Sequence, residues 1–430
     1  MSFISRLVAP LIKRGRLNVI FPGGKREQLG PGGGKEVTVR LTDGGAVRAL
    51  IRNPRLAVGE LYMDGRLVIE DGTMLDLLQI VTGSNPWEEG GKRGKTAMSK
   101  GRWSDVKALF RRNRPAASRR NVAHHYDLDD RLYDLFLDSN RQYSCAYFTD
   151  PANDLEQAQL DKLAHIAAKL DLKPGQKVLD IGCGWGGLAL YLNRVAGVEV
   201  LGVTLSTEQL AYARDWAKRQ GVSDQVKFEL IDYRAVKGRF DRIVSVCMFE
   251  HVGAAHYDEF YETCHRLLAD DGVMLLHTIG KLGGAGSPDP FTDKWIFPGY
   301  HLPSLSQMQA SSEKVRMIVA DTETLRLHYA YTLRHWLNRC FAAREEIERI
   351  YDARFFRMWE FYLAGGIVMF ETGAACNYQV QYIRNRHALP ITRDYMAEAE
   401  ARYRKIGAQP SEPKKAASRK RRSPAPEFAK

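Results

Sequence analysis

The residue types and spacings that could do chemistry gather in three stretches. In "FDRIVSVCMFEHVG" (240–253) an apolar, β-branched run over 243–249 ends in Glu250 and His251. Open α/β sheets present their ligand crevice at such strand ends, so the pair could act as acid and base. The same pair could serve as a helix cap or a surface turn. In "KVLDIGCGWGGLALYL" (177–192) a strand ending near Asp180 runs into Gly182, Gly184 and Gly186 and then a helix. Glycines there let the backbone approach a ligand, and the helix N-terminus favours negative charge. That turn by itself also fits dinucleotides. In "GVMLLHTIG" (272–280) His277 sits inside a strand, where a satisfied core histidine is the simplest reading.

Positioning these groups requires a sheet. After the glycine turn come "VEVLGVTLS", "VKFELIDY", "FDRIVSVCMFEH" and "GVMLLHTIG", strands in regular rhythm with helical segments between them. This predicts an α/β fold, a Rossmann-like sheet with helices on both faces, over 122–400. Ahead of it, "LNVIFPGGK", "EVTVRLTDGGAVRALIR" and "LAVGELYMDGRLVIEDG" read as strands parted by Gly-Gly and Asp-Gly turns, a small α+β accessory domain over 1–82. Residues 83–121 read as a basic linker and 401–430 as a disordered basic tail, with eight Lys/Arg from Lys405 onward against Glu412 and Glu427. At the start, Phe3, Ile4, Leu7, Val8, Leu11 and Ile12 form an apolar stripe that either packs on its own domain or lies in a membrane interface.

Composition narrows the partners. The chain has 430 residues and 44% hydrophobic content, enough for a large core in more than one domain. Six cysteines without C-x-x-C pairs indicate neither disulfides nor a metal site, which fits a reducing cytoplasm. Apolar runs fall short of the ~20 residues a spanning helix needs. A net charge of +12 calls for an acidic partner. With no nucleic-acid module in the pattern, an anionic membrane surface is the expected one.

"Asp-x-Gly-x-Gly-x-Gly" followed by a strand ending "IDY" resembles the class I S-adenosylmethionine-dependent methyltransferases. The resemblance implies cofactor contacts at Asp180, Gly182, Cys183, Gly184, Trp185 and Gly186, and at Tyr233 and Arg234 after the third strand. Tyr143 and Ser144 join them. The second strand lacks the usual ribose-binding acid, so Thr204, Leu205, Ser206 and Gln209 are expected in its place, with Ser206 also a fitting helix cap.

"HHYDLDDRLYDLFLDSNRQYSCAYF" (124–148), "GVTLSTEQ", "FEHVG", "LLHTIG" and "FPGYHLPS" together resemble the cyclopropane-fatty-acyl-phospholipid synthases and mycolic acid cyclopropane synthases. The resemblance implies methyl transfer to a cis double bond of a phospholipid acyl chain, then proton loss to bound bicarbonate and ring closure. It places the bicarbonate cradle at Cys145, Glu250, His277, Ile279 and Tyr329, with Glu250, His277 and Tyr329 catalytic. His251 becomes a cofactor-side neighbour. Tyr126 is expected on the acyl cavity, and Trp295, Phe297, Trp336, Trp359, Phe361 and Tyr362 are aromatic candidates for the lipid tunnel. The implied enzyme works peripherally on the inner face of the membrane, and a homodimer is admitted. One departure matters: the family pattern "YL-x-x-C" reads "YLAGG" here, with Gly366 in the cysteine's place. A methyltransferase making branched chains, a small-molecule N-methyltransferase and a non-catalytic lipid-binding protein are the alternatives.

Overall fold

Short runs of Val, Ile and Leu, bounded by glycine turns and alternating with amphipathic helices, build two sheets in the computed structural model, which describes residues 2–83, 86–89, 129–284, 286 and 288–407. The first sheet has the order β2-β1-β3-β4, with β1 Gly15–Ile20, β2 Arg26–Gly32, β3 Glu36–Leu41 and β4 Leu67–Asp71. Strand β1 pairs antiparallel with β2 and parallel with β3. Its inner face buries Leu17, Val19, Val37 and Val39 against Leu61 and Leu77. Two segments read as strands are helices, Gly44–Arg52 and Pro54–Met63. The Asp-Gly-Gly there is no hairpin turn: Asp43 accepts the Ala46 N–H at 3.0 Å as an N-cap. Pro54 opens the second helix, where its missing N–H does no harm.

The second sheet has the order β10-β11-β9-β8-β5-β6-β7. Its strands are β5 Lys177–Ile181, β6 Glu199–Thr204, β7 Val226–Leu230, β8 Phe240–Val246, β9 Leu268–Lys281, β10 Ile318–Leu325 and β11 Ala375–Ile383. All are parallel except β11, which runs antiparallel between β9 and β10. Helices Leu155–Lys169 and Asp394–Gly407 cover one face; Tyr257–Leu267 and Leu305–Lys314 cover the other. The chain runs β5 to β6 to β7 and then returns to β8, so the strand order reverses between β5 and β8. That reversal opens a crevice at their C-terminal ends. Residues 401–407, expected to start a disordered tail, instead finish the last helix, because Tyr403 is buried and its carbonyl accepts the Tyr191 hydroxyl at 3.0 Å.

A helical layer roofs the crevice. Helices His328–Ala342 and Ala353–Glu371 bury Trp336, Trp359, Leu363 and Ile367 together with Phe136 from helix Asp130–Phe136. The first sheet's unit docks on this layer through helix Pro54–Met63. Tyr62 donates to Glu360 Oε2 at 2.7 Å, the Arg357 guanidinium reaches the Met63 carbonyl at 2.7 Å, and Arg354 pairs with Asp64 at 2.8 Å. Gly59 sets the closest approach: a Cβ there would lie 2.3 Å from Phe291 Cδ2 and 2.8 Å from Phe361 Cε1. Overpacked contacts of this kind cost about 1–3 kcal/mol. Gly59→Leu is therefore expected to lower the free energy of unfolding by that amount, read as a lower urea midpoint at unchanged m-value; an unchanged midpoint would show that the docking carries no stability.

Candidate active site

The glycine turn shapes the crevice. Gly182, Gly184 and Gly186 have φ of 84°, 54° and 87°, left-handed values that disfavour any side chain. A Cβ at Gly182 would meet Met248 Cβ at 2.8 Å, and one at Gly186 would meet Phe228 Cζ at 2.6 Å. The N–H groups of Gly182 and Cys183 are held by the Val203 carbonyl, which ties the turn to β6. Helix Gly187–Ala196 starts directly behind it. The resulting cavity, about 490 Å³, takes Asp180, Gly182, Cys183, Gly184 and Trp185 from the β5 side. Thr204, Leu205 and Gln209 line it after β6, Tyr233 and Arg234 after β7, and Tyr143 and Ser144 from the preceding loop.

Two expected contacts do not line the cavity. Gly186 packs beneath the turn on Phe228 and Ala213. Ser206 caps helix Thr207–Arg219, accepting the Gln209 N–H at 3.3 Å. The Arg234 guanidinium, though on the wall, is committed to Asp232 at 2.7 and 2.9 Å. The cavity also draws on residues the motifs did not single out, among them Arg141, Gln142, Cys247, Asp293 and Tyr300. Arg141 lies over the Tyr212 ring at 4.0 Å and bonds Asp134, so it holds the loop in place. Its signal in the sequence was only its position two residues before Tyr143.

Asp180 is buried, and its Oδ2 has no hydrogen-bond partner. Burial pushes its carboxyl up to about 7, against the pull of the Lys162 charge. An acceptor left without a donor at the floor of a cavity suits a ligand carrying an ammonium group. His251 also lines the cavity, and burial pushes its imidazole down to about 4, so it is neutral at pH 7.

The second constellation lies beside that cavity without lining it. Glu250 sits in the turn Phe249–His251 just beyond β8, 5% exposed. Its Oε1 accepts the Ile279 N–H at 2.6 Å, while Oε2 is buried with no partner. Burial pushes the carboxyl up to about 7, opposed chiefly by the Ile279 N–H. That N–H, expected in the anion cradle, is thus spent on Glu250. His277 is fully buried, with Asn377 Nδ2 and Gln379 Nε2 each 3.1 Å from its ring nitrogens. Burial holds it well below the usual imidazole range, so it is neutral, and β11 occupies both nitrogens expected to face an anion. Cys145 is buried with its thiol pushed up by burial. Tyr329 is buried at the start of helix His328–Ala342, its ring 4.9 Å from Phe370 and 5.8 Å from Trp336. Cys247 adopts a left-handed φ of 51° where β8 turns toward Glu250.

Aromatic rings connect the two constellations to the roof. Tyr143 stacks on Trp336 at 5.1 Å, and its hydroxyl lies 3.4 Å from that of Tyr362. Trp359 and Phe297 flank Tyr362 at 5.3 and 6.0 Å. Trp295 and Phe361 pack against the same layer at its junction with the first sheet's unit: Trp295 donates to Glu60 at 3.2 Å, and Phe361 packs on Phe291 beside Gly59. Tyr126 lies outside the described residues. Gly366 faces Leu333, whose Cδ1 would lie 2.9 Å from a Cβ there, so leucine fills the space a cysteine would need. Among the described residues no cluster of three His, Cys, Asp or Glu could hold a metal, and no helix is long and apolar enough to cross a membrane.

Residues 113–380 match the mycolic acid cyclopropane synthetase family. The chain is 39% identical over 287 residues to a probable fatty acid methyltransferase of Pseudomonas putida, covering 64% of this chain and 73% of that one. It is 46% identical over 239 residues to the cyclopropane-fatty-acyl-phospholipid synthase of Escherichia coli, covering 56% of this chain and 61% of the relative. Among solved structures, a cyclopropane synthase of Mycobacterium tuberculosis superposes with a TM-score of 0.59 at 31% identity, covering 61% of this chain and 97% of that one. A mycolic acid cyclopropane synthase complexed with SAH and CTAB does so at 34% identity and the same TM-score and coverage. The glycine turn, the reversal of strand order behind it and these matches make the chain a member of the mycolic acid cyclopropane synthetase family, a methyltransferase dependent on S-adenosylmethionine.

Proposed function

We propose that the protein cyclopropanates unsaturated acyl chains of membrane phospholipids, the proton leaving to a bicarbonate ion oriented by Glu250. The observation that carries this reading is the Glu250 carboxylate: buried, fixed through one oxygen by the Ile279 N–H, and unmatched at the other. S-adenosylmethionine, when bound, supplies an electrophilic methyl group. The residues present fit it. Asp180 offers an unmatched acceptor for its ammonium, the glycine turn leaves room for its backbone approach, and aromatic rings line the way to the roof.

The chain's own groups then have defined tasks. Asp180 holds the donor's amino-acid end. The faces of Tyr143 and its stacked neighbours meet the positive charge that develops on the acyl chain. The closed aromatic layer keeps water from capturing that charge. Glu250 Oε2 accepts the hydroxyl of bicarbonate, with Tyr329 and the Cys145 backbone at its side, and bicarbonate there would supply the base. His277 steadies β9 from behind through Asn377 and Gln379. The phospholipid substrate is supported by the E. coli relative and by the chain's net charge, which suits an anionic membrane's cytoplasmic face. A second reading, methyl branching without ring closure, is favoured by the P. putida relative's description as a fatty acid methyltransferase and by Gly366.

Lipids from a host expressing the gene are expected to gain CH2 as a ring, read by fragmentation or NMR; a methyl or methylene branch would select the second reading. Binding to anionic vesicles should weaken as salt rises, each nearby Lys or Arg contributing on the order of 1 kcal/mol; salt-independent binding would remove the membrane role. Glu250→Gln should cut turnover about 100-fold or more while leaving donor affinity unchanged. It should also stabilise the fold. Because its folded pKa is raised from 4.5 to about 7, Glu250 binds its proton more tightly in the folded state. Stability therefore falls as pH rises through that window, by on the order of 3 kcal/mol. At pH 8 the variant should unfold at higher urea than the parent and at pH 4 at the same urea; an active Glu250→Gln enzyme would overturn the role.

A further inference from the structure

Lys162 lies in the middle of helix Leu155–Lys169, fully buried, under the loop that forms one wall of the cofactor cavity. Its Nζ donates to Gln142 Oε1 at 2.5 Å and to Ser144 Oγ at 2.9 Å. One turn earlier Gln159 Nε2 donates to the carbonyls of Gln142 and Ser144 at 3.2 and 3.0 Å. Gln142 spends its own Nε2 on the Asn140 carbonyl, and Asp138 receives the N–H groups of Asn140 and Gln142. Gln159 and the buried Asp138 thus already hold the loop at several points without Lys162. Burying an ammonium costs several kcal/mol unless a partner offsets it; among the described residues no carboxylate contacts Lys162, and the attraction of the buried Asp138 offsets part of that cost. A neutral side chain would pack there more cheaply, so the charge needs another explanation.

The hydrogen-bond chemistry supplies one. An ammonium has donors and no acceptor. Ser144 Oγ must therefore accept from Lys162, and its own proton turns elsewhere, on a residue that lines the cavity. Asp180, with its unmatched oxygen, lines the same cavity as Ser144. We infer that Lys162 is a positioning residue for the cofactor's amino-acid end: by donating to Ser144 Oγ it makes Ser144 an obligatory donor to the carboxylate of S-adenosylmethionine. The inference rests on the cofactor site described above. The other titratable groups around Lys162 are Asp138, Cys145, Cys247 and His277, from the loop, β8 and β9. Burial keeps both thiols and the imidazole neutral near pH 7, which leaves Asp180, Asp138 and Lys162 itself to set the pH response.

The test is calorimetric titration of the full chain with S-adenosylhomocysteine, which has the same amino-acid end and does not turn over. Lys162→Met and Ser144→Ala should each raise Kd about tenfold, the loss expected for one hydrogen bond to a charged group. The double variant should be no weaker than the weaker single one. In assays, Lys162→Met should raise KM for the donor and leave kcat at saturation within about twofold. Its loss of affinity should be present at pH 6.5 and should shrink above about pH 8, where Lys162 in the parent is itself neutral and no longer obliges Ser144 to donate. A folded Lys162→Met protein with parental affinity, or additive losses in the double variant, would overturn the inference. If Lys162→Met does not fold by circular dichroism, Ser144→Thr must keep the affinity that Ser144→Ala loses; parental affinity in Ser144→Ala overturns it. A parent chain that does not bind S-adenosylhomocysteine would overturn the cofactor site, and this inference with it.

Discussion

Desolvation of carboxyl groups at the point where the strand order reverses is the constraint on which the rest of the structure depends. Asp180 ends near the tip of β5 and Glu250 lies just past β8, both buried, each with one oxygen unmatched. Left in that state, the two groups disfavour their own charged forms, and both are pushed to about 7. They stand at the border of ionisation in neutral solution, where a bound cation or a proton donor changes their state with little energy.

The surrounding architecture serves to keep that region dry and rigid. The pairing of β5 with β8 brings both carboxyl groups to the C-terminal end of the sheet, and the left-handed glycines let a ligand's backbone-like groups come close to Asp180. Above them the aromatic layer from Phe136, Trp336, Trp359 and Tyr362 excludes water, which strengthens every electrostatic contact beneath it. Helix Ala353–Glu371, which carries part of this layer, is wedged from outside by helix Pro54–Met63, with Gly59 setting the distance. The first sheet therefore contributes to the site through packing and supplies no residue to the cofactor cavity. Underneath, Lys162 adds a buried positive charge that the packing alone would not demand.

The readable part of the site was the part made by local chain chemistry. In "DIGCGWGG" the glycine spacing predicts a turn between strand and helix that lets a ligand approach the backbone, and Gly182, Gly184 and Gly186 take left-handed angles there. The alternation of apolar strands with helices was enough for the α/β class. Local signals misled where two elements competed. "LTDGGAVRALIR" carries a turn dipeptide and β-branched residues, but capping by Asp43 starts a helix. Ser206 carries the right oxygen for a ribose, yet its helix cap claims it. Trp295 and Phe361 have the right rings for a lipid tunnel, and they pack where the aromatic layer meets the first sheet's unit, which no local pattern shows.

By itself the sequence determined the strand–turn–helix that receives the cofactor, the order of the motifs and the identity of the acid at the end of β8. These follow from residue type, since glycine accepts the required backbone angles and the apolar runs after the glycine turn carry the strand pattern. Tertiary structure decided what those groups are bonded to. Pairing of β9 with β11 gave both His277 nitrogens to Asn377 and Gln379, and the approach of β8 to β9 gave the Ile279 N–H to Glu250. It also buried Lys162 beneath Ser144, across eighteen residues of chain. Hydrogen bonds between groups distant in sequence depend on register and burial, which no local pattern carries, and those bonds set which atoms are left to meet a ligand.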